Sequence, residues 1–121
     1  MPTQNLAVGG RSVDIYATGT VTQASTATYA TVTGADIDAR AWRSVAYTIV
    51  VTTNAVTWQV LGANSADYSD AVVVQEGASV AAGASSTYAV AQAPYAYYRI
   101  QIQDTVSGTH GTAKIAGLAK G

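Results

Sequence analysis

Apolar and polar side chains alternate along most of this chain, most cleanly between residues 95 and 104. There Tyr98, Ile100 and Ile102 share one face while Tyr97, Arg99, Gln101 and Gln103 share the other, the period-two mark of a half-buried strand. The pattern also runs through 42–53, with Val45, Tyr47, Ile49 and Val51 on one side and Ser44, Ala46, Thr48 and Val50 on the other. It resumes after Asn54-Ala55, where Val56, Trp58 and Val60 lie opposite Thr57, Gln59 and Leu61. Residues 42–62 are therefore predicted to form an antiparallel hairpin closed by a tight reversal.

Weaker signals supply the remaining elements. A first strand is expected over 12–17, with Val13 and Ile15 on one face, and the Ser/Thr/Ala segment 18–33 should hold one or two more, with Tyr29 its one large side chain. Residues 34–40 break the pattern and read as a connection between strands. A polar loop over 62–70 precedes a strand at 71–76, a turn at Gly77, a short extended piece at 78–82, a turn at Gly83-Ala84 and a strand at 85–91. Pro94 cannot donate to a ladder and belongs at a strand start or edge. A loop over 105–111 and a closing strand over 112–118 complete the chain. Eight or nine short strands without a helical crossover predict an all-β fold, an antiparallel two-sheet β-sandwich of jelly-roll type, with a closed barrel as the alternative. Residues 1–12 read as an N-terminal arm and 13–121 as one β-sandwich domain.

Composition agrees with sheet. Val and Ile together number 21 and Thr 16, against 3 Leu, 2 Lys and 1 Glu, so residues that favour exposed helix are nearly missing. Ala, Gly, Ser and Thr make up 60 of 121 residues, so Val, Ile, Tyr and Trp must pack against very small neighbours. The 13 charges sum to −1, a sparse supply for a solvated surface, which suggests that partner chains cover part of it. The cations Arg11, Arg40, Arg43, Arg99, Lys114 and Lys120 are scattered rather than gathered into a phosphate-tracking stripe, against nucleic-acid binding. The longest apolar run, near 46–51, is far short of a bilayer span, and the first residues lack the basic and apolar regions of a secretion signal. With no Cys, disulfides, thiolate metal sites and Cys nucleophiles are excluded.

Few residues suggest chemistry. Asn64, Asp67 and Asp70 recur every third position in a loop, as oxygen ligands for calcium could, but such residues are also ordinary turn formers. Asp36 and Asp38 would project to one side of an extended segment, yet Arg40 stands close enough to neutralise them. His110, the sole histidine, lies between glycine turns with no nucleophile elbow nearby. Catalytic, cofactor-binding and metal residues are accordingly expected to be none, cofactors none, and the protein no enzyme. Trp42, Trp58, Tyr95, Tyr97 and Tyr98 could form a sugar-binding platform, although Trp58 and Tyr98 fall on inward faces and suit the core better. The outward pair Tyr97 and Arg99, with Tyr95 and Arg11, is the expected interface set.

Residues 42–118 as a whole resemble small virion proteins of tailed bacteriophages. The layout is an aromatic-rich strand, then Val-Thr-Trp-Gln-Val-Leu-Gly-Ala-Asn with a polar loop, a Val-rich strand, a Gly turn, Ala-Pro-Tyr-Ala-Tyr-Tyr-Arg-Ile-Gln-Ile, and a glycine-bearing close. The resemblance implies a β-sandwich that decorates or cements a capsid, binding and bridging major capsid subunits. Together with the arm and the sparse charge it suggests a homo-oligomer, a trimer at symmetry axes, located in the virion after assembly in the host bacterial cytoplasm; the scattered cations and short apolar runs leave neither nucleic acid nor membrane as partner. A tail or neck subunit and a carbohydrate-binding module are the alternatives. No family binding residues carry over.

Overall fold

A computed structural model describes residues 15–121, with side chains from Val21 onward. The expected arm, Arg11 and the first residues of the predicted opening strand lie outside the described residues. Nine strands follow in order: β1 Ile15–Ala24, β2 Ala30–Thr31, β3 Ile37–Asp38, β4 Ser44–Thr53, β5 Val56–Ala63, β6 Val72–Val80, β7 Ser85–Val90, β8 Tyr97–Asp104 and β9 Thr112–Lys120. One sheet has the order β1-β9-β4-β7; the other runs β2-β8-β5-β6, with β3 also paired to β8. Since β5 takes one side of β8 along its whole length, β2 and β3 are two pieces of one interrupted edge. That leaves four strand positions per sheet, every pair antiparallel, and only the β5–β6 connection stays within a sheet. This is jelly-roll topology. The alternative of a closed barrel is not what forms: the strands make two separate sheets, each with open edges among the described residues.

The core is what the alternation dictates. Val45, Tyr47, Ile49 and Val51 of β4 face Val56, Trp58 and Val60 of β5 and Tyr98, Ile100 and Ile102 of β8, all essentially buried. Ile115 and Ala113 of β9 complete the layer, and buried Ala35, Ala39 and Ala119 show how small neighbours let the sheets approach. The Tyr47 hydroxyl, inside this apolar layer, donates to the carbonyls of Ala35 and Tyr98. Because a hydrogen bond of this kind contributes about 1 kcal/mol, Tyr47→Phe is expected to lower stability by that amount. Urea denaturation should show the midpoint falling with an unchanged slope.

Several expectations need correcting. The predicted hairpin over 42–62 does not exist: β4 pairs with β7 and β9, β5 with β6 and β8, and the Asn54-Ala55 link carries the chain from one sheet to the other. Alternation specifies which side chains go inward but not which backbone is the neighbour, so an arch between sheets and a hairpin within one share the same pattern. Asn54 takes the left-handed conformation, φ 51°, at this crossing, which Asn tolerates better than most residues. Gly77 is not a turn but lies inside a continuous β6, where the register against β5 slips twice. The first strand does not stop at residue 17; it runs to Ala24, because β9 offers a long partner that small side chains do not advertise. Residues 34–40 include β3, not only a connection.

Candidate functional site

The outward pair on β8 lies within a cluster on the outer face of the second sheet. Arg99 makes two hydrogen bonds with Asp36, at 3.1 and 2.8 Å, and its guanidinium carbon stands 3.8 Å from the centre of the Tyr68 ring. Tyr68 comes from the loop between β5 and β6. There it takes a positive φ of 59° and donates from its hydroxyl to the Tyr98 carbonyl at 2.8 Å. The loop is fastened by its own polar residues: Asp70 accepts from the backbone of Asn64 and Ser65, Asp67 from Ser69, and Asn64 Oδ1 from Ala96. Of the three candidate calcium ligands, Asp67 and Asp70 thus accept hydrogen bonds within the loop and Asn64 fastens it to Ala96. Among the described residues no group of three or more His, Cys, Asp or Glu could hold a metal ion.

Beside this pair a second one repeats it. Arg40 makes a two-pronged contact with Asp38, at 2.9 and 2.6 Å, and sits over the Tyr97 ring at 5.2 Å; Tyr97 and Tyr68 are 6.3 Å apart. Hydrogen bonding from Arg40 holds the Asp38 carboxyl below its usual range, while Asp38 raises Arg40. Burial pushes the Tyr68 hydroxyl upward and that of Tyr98 up to about 12. Asp36 and Asp38 therefore pair with two different arginines. Each outward ring has a guanidinium on a face, which removes that face from stacking on a sugar. Of the other platform candidates, Trp58 is buried, Trp42 is half-buried against the core, and Tyr95 packs edge-on to Tyr98. A Cβ at Gly62 would stand 2.5 Å from the Tyr95 ring, so that ring lies directly on the β5 backbone.

His110 belongs to a polar latch at the opposite end of the sandwich. Asp104 closes β8 on the same face as Tyr98, Ile100 and Ile102 and is 6% exposed. Its carboxylate accepts from the Ser25 hydroxyl, from the Gly111 backbone at 3.3 Å, and contacts His110 Nδ1 at 2.7 Å. Gly111 N–H also reaches Ser25 Oγ at 3.1 Å, and the Ser25 N–H donates to the Gly111 carbonyl at 2.8 Å. Hydrogen bonding from Ser25 dominates the forces that hold the Asp104 carboxyl below its ordinary range. A serine hydrolase needs histidine between serine and carboxylate; here the carboxylate stands between them, so His110 is not placed against the Ser25 hydroxyl. The cluster ties the ends of β1, β8 and the last loop together. Asp104 was open to detection from its even-numbered position in β8; Tyr68 was not, because loop geometry places it.

The outer face of the first sheet has a different character. Ala46, Thr48 and Val50 of β4, Thr87 and Ala89 of β7, and Ala116 and Leu118 of β9 line it, and Val50 is 40% exposed. At one end a shallow hollow of about 680 Å³ is lined by Ala46, Ala89, Val90 and Leu118, with Arg43 and Lys120 at its border. No charged residue of β4 or β7 interrupts this surface, while Lys114 of β9 stands in it directly opposite Val50.

No family model matches this chain, and neither does any curated protein. Among solved structures, one described as Bacillus endospore appendages forming a family of disulfide-linked pili is similar at a TM-score of 0.56 and 16% identity, covering 99% of this chain and 98% of that one. A crystal structure of PirA gives 0.48 and 13%, covering 90% and 97%. A structure of infectious bursal disease virus Gx strain gives 0.43 and 8%, covering 99% of this chain and 38% of that one. At such identities the first likeness shows a shared β-sandwich fold. Among the described residues no helix is long and apolar enough to cross a membrane.

Proposed function

We propose that this chain is a structural subunit that acts by adhesion within an assembled particle, and specifically that it decorates the capsid of a tailed bacteriophage, bridging major capsid subunits. The outer face of the β1-β9-β4-β7 sheet carries the proposal: a surface of small and apolar side chains around Ala46, Leu118 and Val50, with Lys120 beside the hollow and Lys114 of β9 directly opposite Val50. A contiguous surface of this kind marks a contact with another macromolecule. The appendage protein of similar fold assembles into pili by its description, which supports a subunit role; lacking Cys, the present chain would associate without disulfides. Residence in the virion follows from this proposal and from the resemblance of residues 42–118 to phage virion proteins.

The test is binding of purified protein to particles stripped of it. Val50→Lys sets a second ammonium opposite Lys114 within the contact, where a desolvated, unpaired charge is costly. Binding should weaken at least tenfold, or about 1.4 kcal/mol, while the melting temperature changes by no more than about 2 °C because the side chain is already exposed. Wild-type affinity in a folded Val50→Lys protein would remove the assignment of this face.

A further inference from the structure

Each sheet ends in strands whose outer backbone groups are unpaired among the described residues, and three of these edges are blunted. The β1 ladder slips between Ala17 and Gly19. The β2/β3 edge is two pieces of two residues each. β6 slips twice against β5 and carries Glu76 at its midpoint, so that antiparallel self-pairing about its centre would set Glu76 against Glu76. Bulges, short length and charge are the devices that keep sheet edges from mating. β7 has none of the first and last of these. All six residues keep register with β4, from Val50↔Ser85 to Val45↔Val90, and Ser-Ser-Thr-Tyr-Ala-Val contains no charge and no proline.

We propose that β7 pairs antiparallel with β7 of a second copy across a two-fold axis at Thr87, joining two four-stranded sheets into one of eight. Directly opposed residues in an antiparallel pair lie on the same face. If the two sheets are to continue each other with their cores on the same side, the residue on the axis must therefore oppose itself, and the central choices are Thr87 and Tyr88. Tyr88 points inward and its ring already lies 6.5 Å from that of Tyr98, so opposing two such rings would crowd the sandwich opening. Thr87 is exposed on the outer face, and a Thr–Thr pair is favourable across strands. With Thr87 on the axis, Ser86 falls opposite the partner's Tyr88 and Ser85 opposite the partner's Ala89, so a small side chain meets the large one throughout. This contact goes beyond docking on a particle and is measured on the purified chain, so either proposal can fail alone.

Because the chain has no Cys, single substitutions read the register directly. Opposed Cα atoms about 4.5–5.5 Å apart fall within disulfide reach. Thr87→Cys is expected to oxidise to a covalent dimer at least tenfold faster than Ala81→Cys, an exposed position in the β6–β7 turn. Ser85→Cys mixed with Ala89→Cys should crosslink, and either alone should not. Thr87→Lys, which tests the same edge without a new bond, should raise the dimer dissociation constant at least tenfold in sedimentation. Thr87→Cys no faster than the turn control, Ser85→Cys dimerising alone, or Thr87→Lys leaving association unchanged would overturn the proposal; pairing with β1 of another copy or with an unrelated strand would produce these results.

Discussion

Trp58→Ala is expected to lower stability by about 3–5 kcal/mol, a large share of the roughly 5–15 kcal/mol that holds a domain together. Trp58 is the largest fully buried side chain and faces the core from the middle of β5, where its backbone lies between Ile102 of β8 and Ala78 of β6. Both sheets depend on the volume it fills, because a close-packed interior cannot relax fully into the gap. At this chain length the loss corresponds to a melting temperature lower by about 12–20 °C. Trp58→Phe should cost much less. It leaves a smaller void and removes Nε1, which is buried without a hydrogen-bond partner among the described residues. Thermal and urea denaturation followed by circular dichroism would separate the two; an alanine variant within about 1 kcal/mol of wild type would contradict the packing described.

Asp104→Asn is expected to lower the melting temperature at neutral pH by about 5 °C or more and to flatten the acid limb of the stability profile. In the folded protein the carboxylate accepts from Ser25, Gly111 and His110, so its folded pKa lies below the unfolded value of about 3.9. A group depressed in this way contributes fully above the unfolded pKa and loses its contribution as pH falls through the folded one. Wild-type stability should therefore decline below about pH 4, and the Asn variant, having no charge there to lose, should decline less. Asp38 and Asp67 are also held low, by Arg40 and by the Ser69 backbone, but they are exposed and solvent-screened, so their share is small. Parallel acid limbs for wild type and Asp104→Asn would remove the latch from the account.

The inward faces of β4, β8 and most of β5 were legible because burial imposes a period of two that Tyr47, Trp58, Tyr98 and their neighbours follow. Pairing was not. Asn54-Ala55 joins two apolar-alternating strands whether they lie side by side or face each other, and only the competing partners β7 and β9 for β4, and β6 and β8 for β5, decide between them. β1 was partly hidden because its Thr, Ala and Gly residues carry little pattern, and Gly77 imitates a turn although the register slips around it do the bending. On the candidate surfaces, Tyr97 and Arg99 were legible as an outward pair. Their partners Asp36 and Tyr68 were not, because a β3 fragment and a loop residue at positive φ arrive there through tertiary contacts. Strand parity places Asp104 inward with Tyr98, Ile100 and Ile102, but an acidic residue at a strand end reads as solvent-exposed, so it was missed.

A reconstruction of the native particle by electron cryo-microscopy tests most directly whether this protein works by adhering to other subunits. The account predicts the chain in place on the particle, with Val50, Ala46 and Leu118 covered by a major capsid subunit. Particles that contain the chain with this face open to solvent, or that lack the chain altogether, would contradict it.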